Sequence, residues 1–232
     1  MRLSETASVG PFFALRTDDD AGADAHGFLP LGEEAVRLRV ATVAERLGTA
    51  DRRVAASIAF QGVAGRLLSV PLASAVLTGS VPDLADGRLR WHPGATAPDD
   101  LLLPRPAALP PTAEPAEQAA QIAATVLHGL LAPLMDVTRT VTPVSPRLLR
   151  GNAASSLAGS LRVLHTWCGA RGRHREAAHA VAVARSLLTD PLLHDTGTLR
   201  TGGAPSFTRR SCCLYYRVPG GGLCGDCVLR GR

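Results

Sequence analysis

Four of the five cysteines in this chain lie between Cys212 and Cys227, in the spacing C-C-x10-C-x2-C. Thiols gathered this densely in a reducing compartment read as metal ligands rather than as a disulfide framework. The tail is therefore expected to take its shape around a metal centre. Its second half, Cys224-Gly225-Asp226-Cys227, is an ordinary chelating loop in which Gly225 lets the backbone turn so that both sulfurs reach one metal. The adjacent pair Cys212-Cys213 is unusual, because zinc sites space their ligands two to four residues apart. A cluster with two irons offers separate attachment points and strains neighbouring thiolates less. Four thiolates alone do not separate zinc, a lone iron, [2Fe–2S] and [4Fe–4S].

Charge singles out the same segment. Every basic residue is Arg, a compositional bias that resembles a GC-rich bacterial genome, so arginine abundance by itself carries no function. Distribution is more informative. From Leu199 to Arg232 six arginines face a single acid, Asp226, and the whole formal charge of +5 resides there. A neutral body with a short basic tail does not match a nucleic-acid binder, whose basic face recruits more of the fold. Met1 to Leu15 lacks the apolar run of a signal peptide, and Asp18–Asp20 follow closely. The apolar stretch Val54–Leu77 is interrupted by Gln61, Arg66 and Pro71, which argues against a membrane span. A cytoplasmic protein is expected.

The body, residues 1–198, reads as mainly α with a minor β element, and residues 199–232 as a small irregular metal-binding segment. Val36, Val40, Val43 and Leu47 keep helical spacing up to Gly48. Asp51 is placed as the N-cap of a second helix burying Val54, Ile58 and Ala59, with Gly62 and Gly65 weakening its latter half. Around Leu89 and Trp91 the pattern alternates, which predicts a short strand with Leu101–Leu103 as partner. A Pro-rich connector, Pro104–Pro115, follows. Three more helices are predicted. One carries the stripe Ala119, Ile122, Ala123, Val126, Leu130 and Leu134, one starts at Ser145-Pro146, and one runs over Arg173–Leu188. From Pro191 the chain is expected to be loop.

The run RRSCCLYYR, the Gly-rich turn and CGDC together resemble the C-terminal signature of the FhuF-like ferric siderophore reductases, over roughly Phe207–Leu229. Gly151-Asn152-Ala153-Ala154-Ser155 is similar to a Gly-Asn helix motif of that family, although Arg150 stands where an aromatic often precedes it. The resemblance implies a [2Fe–2S] cluster on Cys212, Cys213, Cys224 and Cys227. It implies an enzyme that passes one electron to siderophore-bound Fe(III), of the hydroxamate or catecholate class. No flavin or nicotinamide motif is present, so the electron would come from an external donor such as a ferredoxin or a flavoprotein reductase. The alternatives are an iron–sulfur carrier or iron-sensing accessory protein without turnover, and a structural zinc tail. Arg209, Arg210 and Arg217 are expected to stabilise the negative charge of the cluster and raise its potential.

Other signals are turned down. Gly220-x-Gly222-x-x-Gly225 matches a dinucleotide fingerprint in letters only, since too little chain follows for a βαβ unit. Cys168, beside Trp167 on a helix, reads as a small buried hydrophobe. Tyr215 and Tyr216 are expected to pack against the helical body. The scattered histidines show no helical zinc spacing.

Overall fold

Residues 3–20 and 26–230 are described by the structure, a computed structural model. Met1 and Arg232, which enter the sequence argument, lie outside them. About half of the chain is helical, 52%, with two small two-stranded sheets, so the mainly α expectation holds. A short helix α1, Leu3–Ala7, precedes α2, Glu33–Arg46, and α3, Arg52–Thr78. Strands β1, Arg90–Trp91, and β2, Leu101–Leu102, pair antiparallel where the alternating pattern predicted them. Helix α4, Pro115–Ile122, runs through a π segment, Ala123–Leu131, into α5, Ala132–Val141. Helices α6, Pro146–Gly169, and α7, His174–Leu187, complete the helical set.

Helix α3 is the axis of the core. Asp51 caps it by accepting from the Arg53 N–H at 3.0 Å, and Gly79 closes it in the left-handed conformation, φ 71°. Between these ends the helix does not weaken at Gly62 and Gly65, nor stop at Pro71. It continues for 27 residues, most of them buried. Interior glycine costs about 1 kcal/mol and proline about 3 kcal/mol. Apolar contact on every side, from Val54 through Val76, outweighs both.

Two helical stretches, Arg52–Thr78 and Pro115–Val141, are long and apolar enough to cross a membrane by length and composition. The most apolar window of the first is 83% buried inside the protein, and that of the second 39%. Gln61, Arg66 and Pro71, which read in the sequence as interruptions that argue against a span, all lie within the first of these.

Near the middle of the second stretch the backbone departs from α geometry. Pro133 has no N–H to offer the Gly129 carbonyl, and the π segment just before it relaxes that register. The buried face accordingly moves from Ile122 and Val126 to Leu127, Leu131 and Leu134, so Leu130 is only partly covered.

The tail is not loop from Pro191 onward. Strands β3, Gly197–Arg200, and β4, Ser206–Arg209, form an antiparallel hairpin in which Gly197 faces Arg209. Gly197 is required there, because a Cβ would lie 2.3 Å from Cζ of the Phe207 ring. Phe207 and Arg209 point inward, and β4 rests on α6.

Candidate iron–sulfur site

The cysteine segment is bolted to the two longest helices. On α6, Asn152 is fully buried and donates from Nδ2 to the Ser57 carbonyl at 2.8 Å and to Ser57 Oγ at 3.0 Å. Ser57 Oγ, on α3, donates to the Cys213 carbonyl at 2.6 Å. Asn152 Oδ1 accepts from the Arg209 guanidinium. One turn on, Ser155 Oγ donates to Asp226 Oδ2 at 2.5 Å, and Arg162 holds Asp226 Oδ1 at 2.8 Å. The Arg209 N–H donates to the Asp226 carbonyl at 3.0 Å, so both halves of the cysteine motif hang on the same face of α6. Gly151 makes this approach possible: a Cβ there would lie 2.1 Å from Ser211 Oγ and 3.2 Å from the Arg209 guanidinium. The Gly-Asn pair thus has a local reason, close passage of the tail at Gly151 and a buried amide bridging α3 and the tail at Asn152.

None of the cysteines is in a disulfide. Cys213 and Cys224 form a hydrogen-bonded pair. The Cys213 thiol is pulled down to about 6, chiefly by the hydrogen bond from Cys224, with Arg209 adding in the same sense against the effect of burial. Cys224 is pushed up by the same bond, by burial and by the Cys213 charge. Cys212 Sγ accepts from the Leu214 N–H at 3.3 Å and Cys227 Sγ from the Leu229 N–H at 3.4 Å. Backbone donors aimed at sulfur stabilise thiolates and tune a bound metal. Among the described residues, no three His, Cys, Asp or Glu side chains converge so as to hold one metal ion. The structure brings Cys213 and Cys224 together, with the Cys227 charge also acting on Cys224.

The arginines divide. Arg209 is 1% exposed, acts on Cys213 and Cys224 electrostatically, and leaves buried Nε and Nη1 without a hydrogen-bond partner. A buried guanidinium with two unused donors beside thiols fits an anionic group seated there. Arg210 instead reaches Asp195 at 2.9 Å on the surface, and Arg217 reaches Asp51 at 3.1 Å. The tyrosines divide as well. Tyr215 is half-buried against a cleft, whereas Tyr216 is 48% exposed and does not pack on the body as the sequence suggested. Cys168, at the far end of α6, is fully buried, and burial pushes its thiol up.

Residues 209–229 match the family model of the FhuF 2Fe-2S C-terminal domain. The segment is an FhuF-type [2Fe–2S] domain. The match supports a [2Fe–2S] cluster as the cofactor of this segment and, over 21 of the 232 residues, a likeness to the FhuF family. No curated protein matches the chain. The buried, unpartnered donors of Arg209 and the Leu214 and Leu229 N–H groups that donate to the sulfurs of Cys212 and Cys227 are the observations in this structure that fit such a group.

Beside the FhuF-type segment lies a cleft of about 560 Å³ between α3 and α6. Cys213, Tyr215 and Cys224 form one wall, Phe12 and Val163 stand at the rim, and Gly62, Gly65 and Gly159 line the helices. Of these lining residues, the sequence singles out only the cysteines, Tyr215 and the i, i+3 pair Gly62 and Gly65. That glycine pair reads in the sequence as a weak point of α3. It is a groove on a continuous helix.

Proposed function

We propose that this chain is a ferric siderophore reductase of the cytoplasm, with Cys212, Cys213, Cys224 and Cys227 as the ligands of its cluster. When bound, the cluster supplies a one-electron store. The electron enters from an external donor, and the substrate is Fe(III) held by a hydroxamate or catecholate siderophore. Fe(III) gains that electron, and the resulting Fe(II), a softer and larger ion, is held far more weakly by oxygen ligands and leaves. The observation that carries this reading is the position of Cys213 and Cys224 in the wall of an open cleft. A chelate can approach the sulfurs without passing through protein, and the cleft has the volume of an ordinary small-molecule site.

The chain's own residues do three things here. Asn152, Ser57, Ser155 and Arg162 fix the cysteine segment on α6 and α3. Arg209 places a buried positive charge beside the sulfurs, favouring the more negative, reduced state. Gly62 and Gly159 keep the helices bare, and a Cβ on Gly62 would meet nothing within 4 Å.

The test begins with anaerobic purification, visible absorption and EPR of the reduced protein. Reduced protein is then mixed with a ferric siderophore in the presence of a ferrous chelator. Reoxidation together with captured Fe(II) supports the reading. A red-brown protein that keeps its electron under these conditions is a carrier instead, and a colourless one is a zinc protein. Gly62→Leu fills the cleft on a helix that tolerates leucine well, so half-saturation by the chelate should rise while the spectrum stays unchanged.

A further inference from the structure

A second cavity, of about 520 Å³, shares no lining residue with the cleft at Cys213 and Cys224 and is lined by Pro146, Arg147, Arg150, His194, Asp195 and Arg210, with Thr196 and Ser211 in its wall. Ser211 is the residue before Cys212, so this surface is close in the chain to the FhuF-type cysteines. Three guanidiniums face one carboxylate. Asp195 is engaged by Arg210 at 2.9 Å and lies 3.5 Å from His194 Nε2. Arg147 makes only a long contact, 3.4 Å, to the Arg210 carbonyl, and Arg150 has no hydrogen-bond or charge partner among the described residues. Both are exposed.

Their position is costly to the helix. Arg147 lies in the first turn of α6, with Arg150 one turn along the same face, and no acid occupies that turn. The N-terminal end of a helix carries partial positive charge, so cations there are disfavoured and anions favoured. An arginine-rich composition accounts for arginines in general. It does not account for unpaired arginines converging at the end of a helix where charge of that sign is least welcome.

We infer that this basic cleft is the docking surface for an acidic electron-carrier protein, which delivers one electron to the [2Fe–2S] cluster through a surface that shares no lining residue with the substrate cleft. The inference rests on the reductase reading, because a reductase without a flavin or nicotinamide site of its own needs such a donor. One electron leaves the reduced carrier and one enters the cluster, with no bond made or broken. A protein occupant suits the site better than a small anion does. All three arginines are exposed to solvent, where single ion pairs are screened and weak. Summed over a patch, the same charges steer a macromolecule of opposite sign and raise its association rate.

The test uses holoprotein and an acidic plant-type ferredoxin as donor, mixed in stopped flow. The double variant Arg147→Glu/Arg150→Glu places acids where the helix favours them, so it should fold and load its cluster as the parent does. Its second-order rate with reduced ferredoxin should fall about ten-fold or more at low salt. The difference should close near 1 M salt, where the Debye length is about 3 Å. Its potential and visible spectrum should be unchanged, and photoreduced 5-deazariboflavin, a small neutral donor, should reduce variant and parent alike. An unchanged rate and salt dependence would overturn the inference. So would a tight site for inorganic phosphate or citrate that the variant loses while ferredoxin rates hold, for then the cleft serves a small anion. Calorimetric titration with oxidised ferredoxin makes the same comparison without electron transfer. Charge-dependent docking in a protein that never reduces a ferric siderophore would sink the reductase reading and leave the docking surface standing.

Discussion

Arg66 and Arg209 are each 1% exposed, and the protein treats their guanidiniums in opposite ways. Arg66, in the middle of α3, has five N–H groups and finds five acceptors. Nε binds Asp100 Oδ1 at 2.7 Å, and the terminal nitrogens reach the carbonyls of Pro11, Phe12, Ala14 and Pro98. Arg209 reaches one acceptor, Asn152, and leaves two buried nitrogens unused. Arg66 is a structural tie that gathers the N-terminal segment and the loop after β1 onto the core helix. Arg209 has the profile of a residue whose remaining partner is a bound anion. A fold able to satisfy every donor of one buried arginine makes the gap at the other informative.

The largest effect that would break the comparison is at the tie. Arg66→Ala leaves the buried Asp100 carboxylate and the Ala14 and Pro98 carbonyls without that donor, while the Phe12 carbonyl keeps Ser69 Oγ and the Pro11 carbonyl keeps the Ala14 N–H. Breaking a buried pair from one side costs about 3–5 kcal/mol. Whole-domain stability is only about 5–15 kcal/mol. Thermal melts should show the midpoint lowered by roughly 10 °C, or no folded protein at all. A loss of only a degree or two would mean that Arg66 is not the tie described.

Arg209→Met should act in opposite directions with and without the cluster. In stripped protein it removes two unmet donors, each costing about 1–3 kcal/mol, against one acceptor left unmet at Asn152 Oδ1, so the melting midpoint should hold or rise. In loaded protein it removes a positive charge beside the sulfurs. The cluster should then be lost faster to a chelator and titrate tens of millivolts lower, about 59 mV being tenfold for one electron. If the substitution destabilises both forms equally, Arg209 is a second tie and not a partner of the cluster.

Much of this was legible in the sequence. Asp51, Gly48, Pro146 and the apolar stripes place the helices, and C-C-x10-C-x2-C places the metal chemistry. The difference between Arg66 and Arg209 was not legible, because it depends on which backbone carbonyls gather around a side chain after distant segments meet. Arg66 looked like an interruption of an apolar run and is instead the reason the N-terminal segment docks there. Arg209 and Arg210 looked equivalent as neighbours in a tail read as loop. A strand reading of Ser206–Arg209 would have separated them, since period-two alternation sends Phe207 and Arg209 inward and Arg210 out.

Cysteine substitutions sharpen the site from another side. Cys213→Ser should abolish or strongly deplete the visible spectrum. Cys168→Ser should leave the spectrum unchanged while lowering the melting midpoint by a few degrees, because a hydroxyl replaces a thiol in a fully buried position and costs about 1–3 kcal/mol. Bleaching by Cys168→Ser would show that the ligand set is wrong.

The smallest effect belongs to Arg210→Gln, and it is the sharpest control for Arg209. The two residues are adjacent and equal in charge, so any account based on net tail charge gives them equal weight. Arg210 lies half-exposed in an ion pair with Asp195, and such a pair contributes about 0–1 kcal/mol. Its field at the cysteines passes through solvent and is screened within about 10 Å at ordinary salt. Arg210→Gln should therefore leave melting, cluster retention and potential within measurement error of the parent, while Arg209→Met shifts cluster retention and potential. Only donor kinetics at low salt should register the change, because Arg210 belongs to the basic cleft. Equal potential shifts from the two arginines, followed by EPR-monitored redox titration, would show that summed tail charge sets the potential and that burial of Arg209 adds nothing to it.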